Sequence, residues 1–98
     1  MAIDKMTLLA AELNMHSLPD QRKEQLQTLL DVADARIGKK GITLDPSDMD
    51  DMHLQVEYAA WLYRRRMQEA PKMMPEYLRL DLHDRLIAEK GRVSDGGT

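Results

Sequence analysis

The chain has 98 residues, the length of one domain with one modest hydrophobic core. Its residues are 43% hydrophobic and 32% charged, and Phe is absent, a composition that favours an all-α fold over a β-sandwich. The net charge of -3 argues against binding to nucleic acid or membranes through overall charge, and the absence of Cys excludes disulfides and thiolate metal sites.

The first half of the chain predicts two helices. Apolar residues at helical spacing from Ile3 to Leu13 predict a short helix over about 4–14. A second helix, over about 20–38, is predicted by apolar residues spaced i, i+3, i+4 and i+7, namely Leu26, Leu29, Leu30, Ala33 and Ile37. Gly38 and Gly41 are expected to end this helix.

The second half predicts two more helices. Asp45-Pro46-Ser47-Asp48 offers an N-cap and an acidic first turn, so a third helix should start near Ser47 and run to about Glu69, before Pro71. Pro75 can begin a fourth helix that ends near Lys90, because Gly91 follows. The expected fold is a small all-α bundle of about four helices (4–14, 20–38, 47–69 and 75–90). It forms a single domain over 1–98, with a core over about 20–90 and a flexible tail over 91–98.

The third and fourth predicted helices are apolar on two sides. On the third, a core stripe consists of Met49, Met52, Val56, Ala59, Ala60, Tyr63 and Met67, while Leu54, Tyr58, Trp61 and Leu62 gather opposite it. On the fourth, Leu78, Leu82 and Leu86 form one row, and Tyr77, Leu80 and Ile87 lie across from it. Either the third helix is sandwiched within the domain, or the second faces contact another subunit, which is the interpretation we favour.

Arg64, Arg65 and Arg66, near the end of the third helix, form the strongest charge run of the sequence. Basic residues at this position stabilise the helix dipole and remain solvated. The alternative is that one of them pairs with an acidic neighbouring subunit or faces DNA in a channel.

No arrangement of residues in the sequence predicts catalysis, a metal site or a cofactor site. His16, His53 and His83 lack metal-binding spacing, and the acids that follow Pro46 lack the Gly and Glu of a calcium loop. The serines and the Gly38–Gly41 segment match no nucleophile or phosphate-loop motif. We therefore expect a protein that is not an enzyme and uses no cofactor.

The sequence also lacks the patterns of membrane insertion and secretion. No apolar run approaches the roughly 20 residues of a membrane span, and the N-terminus lacks the basic and apolar regions of a signal peptide. We expect a soluble protein that is made in the cytoplasm and has no membrane partner.

Several short strings, taken in order, resemble a known family. They are Ala35-Arg36-Ile37, Gly41-Ile42-Thr43-Leu44, the aromatic and basic segment from Tyr58 to Arg66, Met74-Pro75 and Leu78-Arg79. Over roughly Gln25 to Leu86 the chain resembles the small head-to-tail connector proteins, or adaptors, of long-tailed phages and prophages. The resemblance implies a helical bundle that assembles as a ring, usually twelvefold in the virion, in the neck of the phage.

The resemblance also implies the partners of the protein. A connector ring lies between the portal protein and a stopper or tail-completion protein, and DNA passes through its channel without sequence-specific binding. It is a structural protein of virus assembly, put together in the host cytoplasm and retained in the virion. The predicted subunit or partner interface consists of Leu54, Tyr58, Trp61, Leu62, Arg64, Arg65, Arg66, Tyr77, Leu80 and Ile87.

Two other functions remain open at the level of the sequence. A small helical DNA-binding regulator could use the three arginines, although the third helix is too apolar for a recognition helix. Another helical interaction module, such as a chaperone or a toxin-neutralising subunit, could bind a foreign helix on the second apolar faces.

Overall fold

The structure is a computed structural model that describes residues 4–67 and 73–96, with side chains described up to Gly91. It contains four helices: α1 (Lys5–Glu12), α2 (Asp20–Lys39), α3 (Met49–Arg66) and α4 (Glu76–Gly96). No strand occurs within these ranges. The prediction of a small all-α bundle of about four helices is confirmed.

Aspartates fix the starts of two helices. Asp4 caps α1, because its side chain accepts a hydrogen bond from the backbone N–H of Met6 at 3.0 Å. Asp48 caps α3 and accepts from the backbone N–H groups of Asp50 and Asp51 at 2.8 and 3.2 Å. The third helix therefore starts two residues later than predicted, and residues 68–69 of its predicted end lie outside the described part of the chain.

Glycines act differently at the ends of α2 and α4. Gly38 remains inside α2, whereas Gly41 has a φ of +94° and donates its N–H to the carbonyl of Gly38 at 3.0 Å. Gly91 does not end α4, which continues to Gly96, because a single helical glycine costs only about 1 kcal/mol relative to alanine. The predicted C-terminal stop was thus placed several residues too early, and residues 97–98 of the predicted tail lie outside the described part of the chain.

The third helix occupies the centre of the fold and contacts each of the other three helices. The α2 row that was predicted from its spacing is buried throughout, and Gln55 of α3 donates a buried hydrogen bond to the Leu30 carbonyl of α2 at 2.9 Å. Helix α4 packs mainly on α3. The core is therefore built around α3.

The central position of α3 corrects one prediction. Leu54, Tyr58, Trp61 and Leu62 are all less than 10% exposed, so the expectation that they form an exposed face for another subunit is wrong. Leu54 faces α4 across a groove, and Leu62 lies beside Leu29 of α2. The helix is sandwiched within the domain, and a central helix needs apolar side chains on every side.

The predicted core stripe of α3 is buried only in its middle. Val56, Ala59, Ala60 and Tyr63 are buried, whereas the two ends of the stripe, Met49 and Met67, are 53% and 44% exposed. These methionines lie at the first position and the C-cap of the helix, where fewer neighbouring elements can cover them.

Candidate interaction surface

Helix α4 carries an apolar row that the described part of the chain leaves exposed. We call Tyr77, Leu80 and Ile87 the outer row; these side chains are 50%, 45% and 56% exposed. Leu78 and Leu82, on the opposite side of the helix, are buried against the core, and Leu86 is partly buried there. The prediction that these residues occupy two opposite faces of the helix is therefore confirmed, and the outer row is the exposed face.

A buried ion cluster fixes α4 against α3 and the preceding loop. Arg85 donates to both carboxylate oxygens of Asp51, at 2.6 and 3.1 Å, and to Glu89 at 3.0 Å. Its remaining contact is with the backbone carbonyl of Thr43 at 2.9 Å. We call Arg85, Asp51 and Glu89, together with this carbonyl, the Arg85 cluster. It joins one helix to another and to the segment that connects α2 to α3.

The electrostatics of the Arg85 cluster favour its charged form. The hydrogen bond with Asp51 is the largest contribution that raises the pKa of Arg85 above its usual range, and Glu89 adds to it, while burial acts in the opposite direction. The carboxylates also accept from the backbone, since Asp45 N–H donates to Asp51 at 2.8 Å and Thr43 N–H donates to Glu89 at 3.2 Å. The cluster therefore holds its charges in a fixed geometry and orients α4 about its own axis.

The Arg85 cluster was not predicted from the sequence, although α4 contains a signal for it. Asp51 was interpreted only as part of the acidic first turn of the third helix, and this ion pair joins residues far apart in the chain. Arg85 and Glu89, however, lie on the same helical face as Leu78 and Leu82. A charged pair at i, i+4 within an apolar face indicates a buried ionic contact.

An acidic groove separates α3 from α4. It has a volume of about 420 Å³ and is lined by Asp50, Asp51, His53, Leu54, Glu57, Asp81, Asp84 and Arg85. The Nδ1 atom of His53 lies 3.2 Å from Oε1 of Glu57. Burial, and then the neighbouring Asp81 carboxyl, raise the pKa of Glu57 to about 7. Within the described ranges, no group of His, Cys, Asp and Glu side chains has an arrangement that could hold a metal ion.

The three arginines at the end of α3 are divided between different contacts. Arg64 donates to the backbone carbonyl of Glu12 at 2.9 Å and lies 3.7 Å from its carboxylate, so it joins α3 to α1. The guanidinium of Arg65 lies 5.5 Å from the ring centroid of Trp61, within the range of a cation–π contact. Arg66 is exposed beside a shallow groove that includes Leu29 and Leu62. Two of the three therefore have contacts within the chain.

The ten residues that the sequence predicted as an interface do not form one exposed surface. The four apolar ones on α3 are part of the core, and Arg64 contacts α1. The other five of these ten residues are exposed; they are Arg65, Arg66 and the outer row of α4. Among the described residues, the exposed apolar part of the predicted interface thus lies on α4 and not on α3.

No helix within the described ranges is long and apolar enough to cross a membrane. In comparisons with known proteins, no family model, curated protein or solved structure matches the chain.

Proposed function

We propose that this protein is a structural subunit of a tailed-phage neck. In this role it forms a ring that joins the portal to the stopper or tail-completion protein and extends the DNA channel. The observation that carries the proposal is the outer row of α4, which stays exposed while Leu78 and Leu82 of the same helix are buried. The resemblance of the chain to connector proteins over Gln25 to Leu86 supplies the biological setting.

A ring needs subunits that fold completely and still present an apolar face to a neighbour. The outer row meets that need, and Tyr77 combines a large apolar ring with a hydroxyl group, as side chains at interface centres often do. The exposed Arg66 could then pair with an acid of the next subunit at the rim. A head-to-tail contact of this kind builds a closed ring when the rotation between neighbouring subunits adds up to one full turn.

The size of the outer row sets an expectation for assembly. Three half-exposed side chains supply only part of the roughly 800 Å² that each partner buries in a stable interface. The outer row would therefore be the centre of a larger contact that needs a template. We expect weak self-association of the protein alone and ring formation on the portal.

Electron microscopy and native mass spectrometry of the protein, alone and mixed with its portal, test this proposal. The informative variant combines Leu80→Gln with Ile87→Gln, which should leave helicity unchanged because both side chains are exposed, and should abolish ring formation. The matched control combines His83→Gln with Lys90→Gln, exposed positions of the same helix outside the outer row. A protein that stays monomeric with its portal would contradict the function, whereas rings formed by the outer-row variant would contradict only the proposed interface.

The DNA-binding alternative has less support from the contacts of the arginines. Arg64 is engaged with Glu12, and Arg65 lies over Trp61, so only Arg66 of the three has no such contact described for it. A gel-shift assay at moderate ionic strength separates the two functions: a salt-dependent shift would favour a DNA-binding regulator, and its absence would exclude one.

A further inference from the structure

The contact between the first half of α4 and α3 brings two carboxyl groups together. Glu57 of α3 lies in the acidic groove with Asp81 of α4. Its Oε1 atom faces His53, while its Oε2 atom is buried and has no hydrogen-bond donor among the described residues. We infer that Glu57 and Asp81 share one proton, so that the docking of this half of α4 responds to pH near neutrality.

A shared proton explains the otherwise unsatisfied oxygen. A buried carboxylate oxygen without a donor is unfavourable, and two ionised carboxylates in contact repel each other. One proton between them converts the contact into an O–H···O hydrogen bond and removes both penalties. Burial is the largest cause that raises the pKa of Glu57 to about 7, and the neighbouring Asp81 carboxyl is the next.

The charged groups around the pair are mostly acidic. Those that face it are Asp50, Asp51 and His53 on α3, Asp84 and Arg85 on α4, and Glu12 on α1. The two arginines nearby are already engaged, since Arg85 binds Asp51 and Glu89, and Arg64 binds Glu12. His53 opposes protonation of Glu57 when it carries a charge itself. The surroundings therefore disfavour a second negative charge at the pair.

The direction of the pH effect follows from proton binding. A carboxyl whose pKa rises from 4.5 to about 7 on folding makes the folded state bind more protons than the unfolded state. Stability is therefore highest below about pH 4.5 as far as this group is concerned, falls as the pH rises toward 7, and then levels off.

The position of the pair localises its effect to one half of α4. Arg85 lies about one helical turn beyond Asp81, and an arginine keeps its charge throughout the physiological range. The Arg85 cluster should then anchor the middle of the helix while ionisation of the pair loosens the part before it. That part includes Tyr77 and Leu80, so pH would alter how the outer row is presented, whatever partner binds there.

Carbon-detected NMR titration of the Glu57 carboxyl tests the inference directly. We expect a midpoint near 7, and a midpoint near the ordinary glutamate value would overturn the inference. Hydrogen exchange adds the location: amides at the start of α4 should exchange faster at pH 8 than at pH 5.5, relative to those of α2 and after correction for intrinsic rates. Equal relative protection at the two pH values would overturn the local effect.

Urea unfolding at the same two pH values tests the energetic consequence. The unfolding equilibrium constant of the native sequence should rise by at least about tenfold from pH 5.5 to pH 8, because a pKa difference of one unit between the folded and unfolded states changes that constant tenfold. Glu57→Gln should reduce that rise strongly, and Asp81→Asn should do the same if the first variant folds poorly. The matched control is Asp84→Asn, which lines the same groove and should keep the pH dependence of the native sequence. A Glu57→Gln variant with the pH dependence of the native sequence would refute the shared proton.

Discussion

Replacement of Arg85 by alanine tests whether the Arg85 cluster holds α4 in place. The side chains of Asp51 and Glu89 are 5% and 10% exposed, so the variant leaves two buried carboxylates without their cation. Removal of one partner from a buried ion pair costs about 3–5 kcal/mol. Each carboxylate still accepts from a backbone N–H group, which favours the lower end of that range. A loss of about 3 kcal/mol is a large part of the roughly 5–15 kcal/mol that stabilises a domain.

Thermal and urea unfolding followed by circular dichroism measure this loss. For a domain of this size, about 3 kcal/mol lowers the Tm by at least about 12 °C. The matched control is Arg79→Ala, because Arg79 is on the same helix but pairs with Glu76 at an exposed site, and its loss should cost less than about 1 kcal/mol. Arg85→Lys should fall between the two, since an ammonium group lacks the planar fork that reaches several acceptors. A Tm of Arg85→Ala close to that of Arg79→Ala would refute a stabilising role for the cluster.

Two further pairs of variants test the backbone and the core by the same unfolding measurements. Gly38→Ala should stabilise the protein by about 0.5–1 kcal/mol, since the added Cβ has open space within a helix. Gly41→Ala should destabilise it by about 1–2 kcal/mol, because the φ of Gly41 is +94°. Equal effects of the two substitutions would contradict these backbone conformations. Trp61→Ala should cost about 3–5 kcal/mol and Ile87→Ala less than about 1 kcal/mol, because the first side chain is 6% exposed and the second 56%; similar losses would contradict the placement of Trp61 in the core.

The parts of the fold that were predicted correctly depend on local patterns. The spacing of Leu26, Leu30 and Ala33 identifies the buried face of α2 without any knowledge of its neighbours, because the period of the helix places them on one side. The cap of α3 was less certain, since Asp45, Ser47 and Asp48 all have side chains that can cap a helix. Asp45 instead binds the backbone and hydroxyl of Ser47, which leaves Asp48 as the cap.

The prediction for the second face of α3 failed for a reason of topology. Apolar side chains on two sides of a helix show that both sides are covered, but they do not show whether the cover belongs to the same chain. The decisive fact is that α1, α2 and α4 of the same chain all pack on α3. That packing depends on the connections between helices, including residues 68–72 outside the described part, and no periodicity within α3 encodes it.

The outer row of α4 stays exposed because the opposite face of the helix is fixed in two ways. Rotation of α4 about its axis could in principle bury Leu80 and Ile87 and expose Leu78 and Leu82 instead. Such a rotation would also carry Arg85 away from Asp51, leaving the buried carboxylate without its cation. The two apolar faces of α4 are both able to be buried, and the Arg85 cluster selects the orientation in which Leu78 and Leu82 are buried. An apolar surface held outward in this manner persists until another molecule covers it, which is why α4, and not α3, is the helix on which we expect a partner.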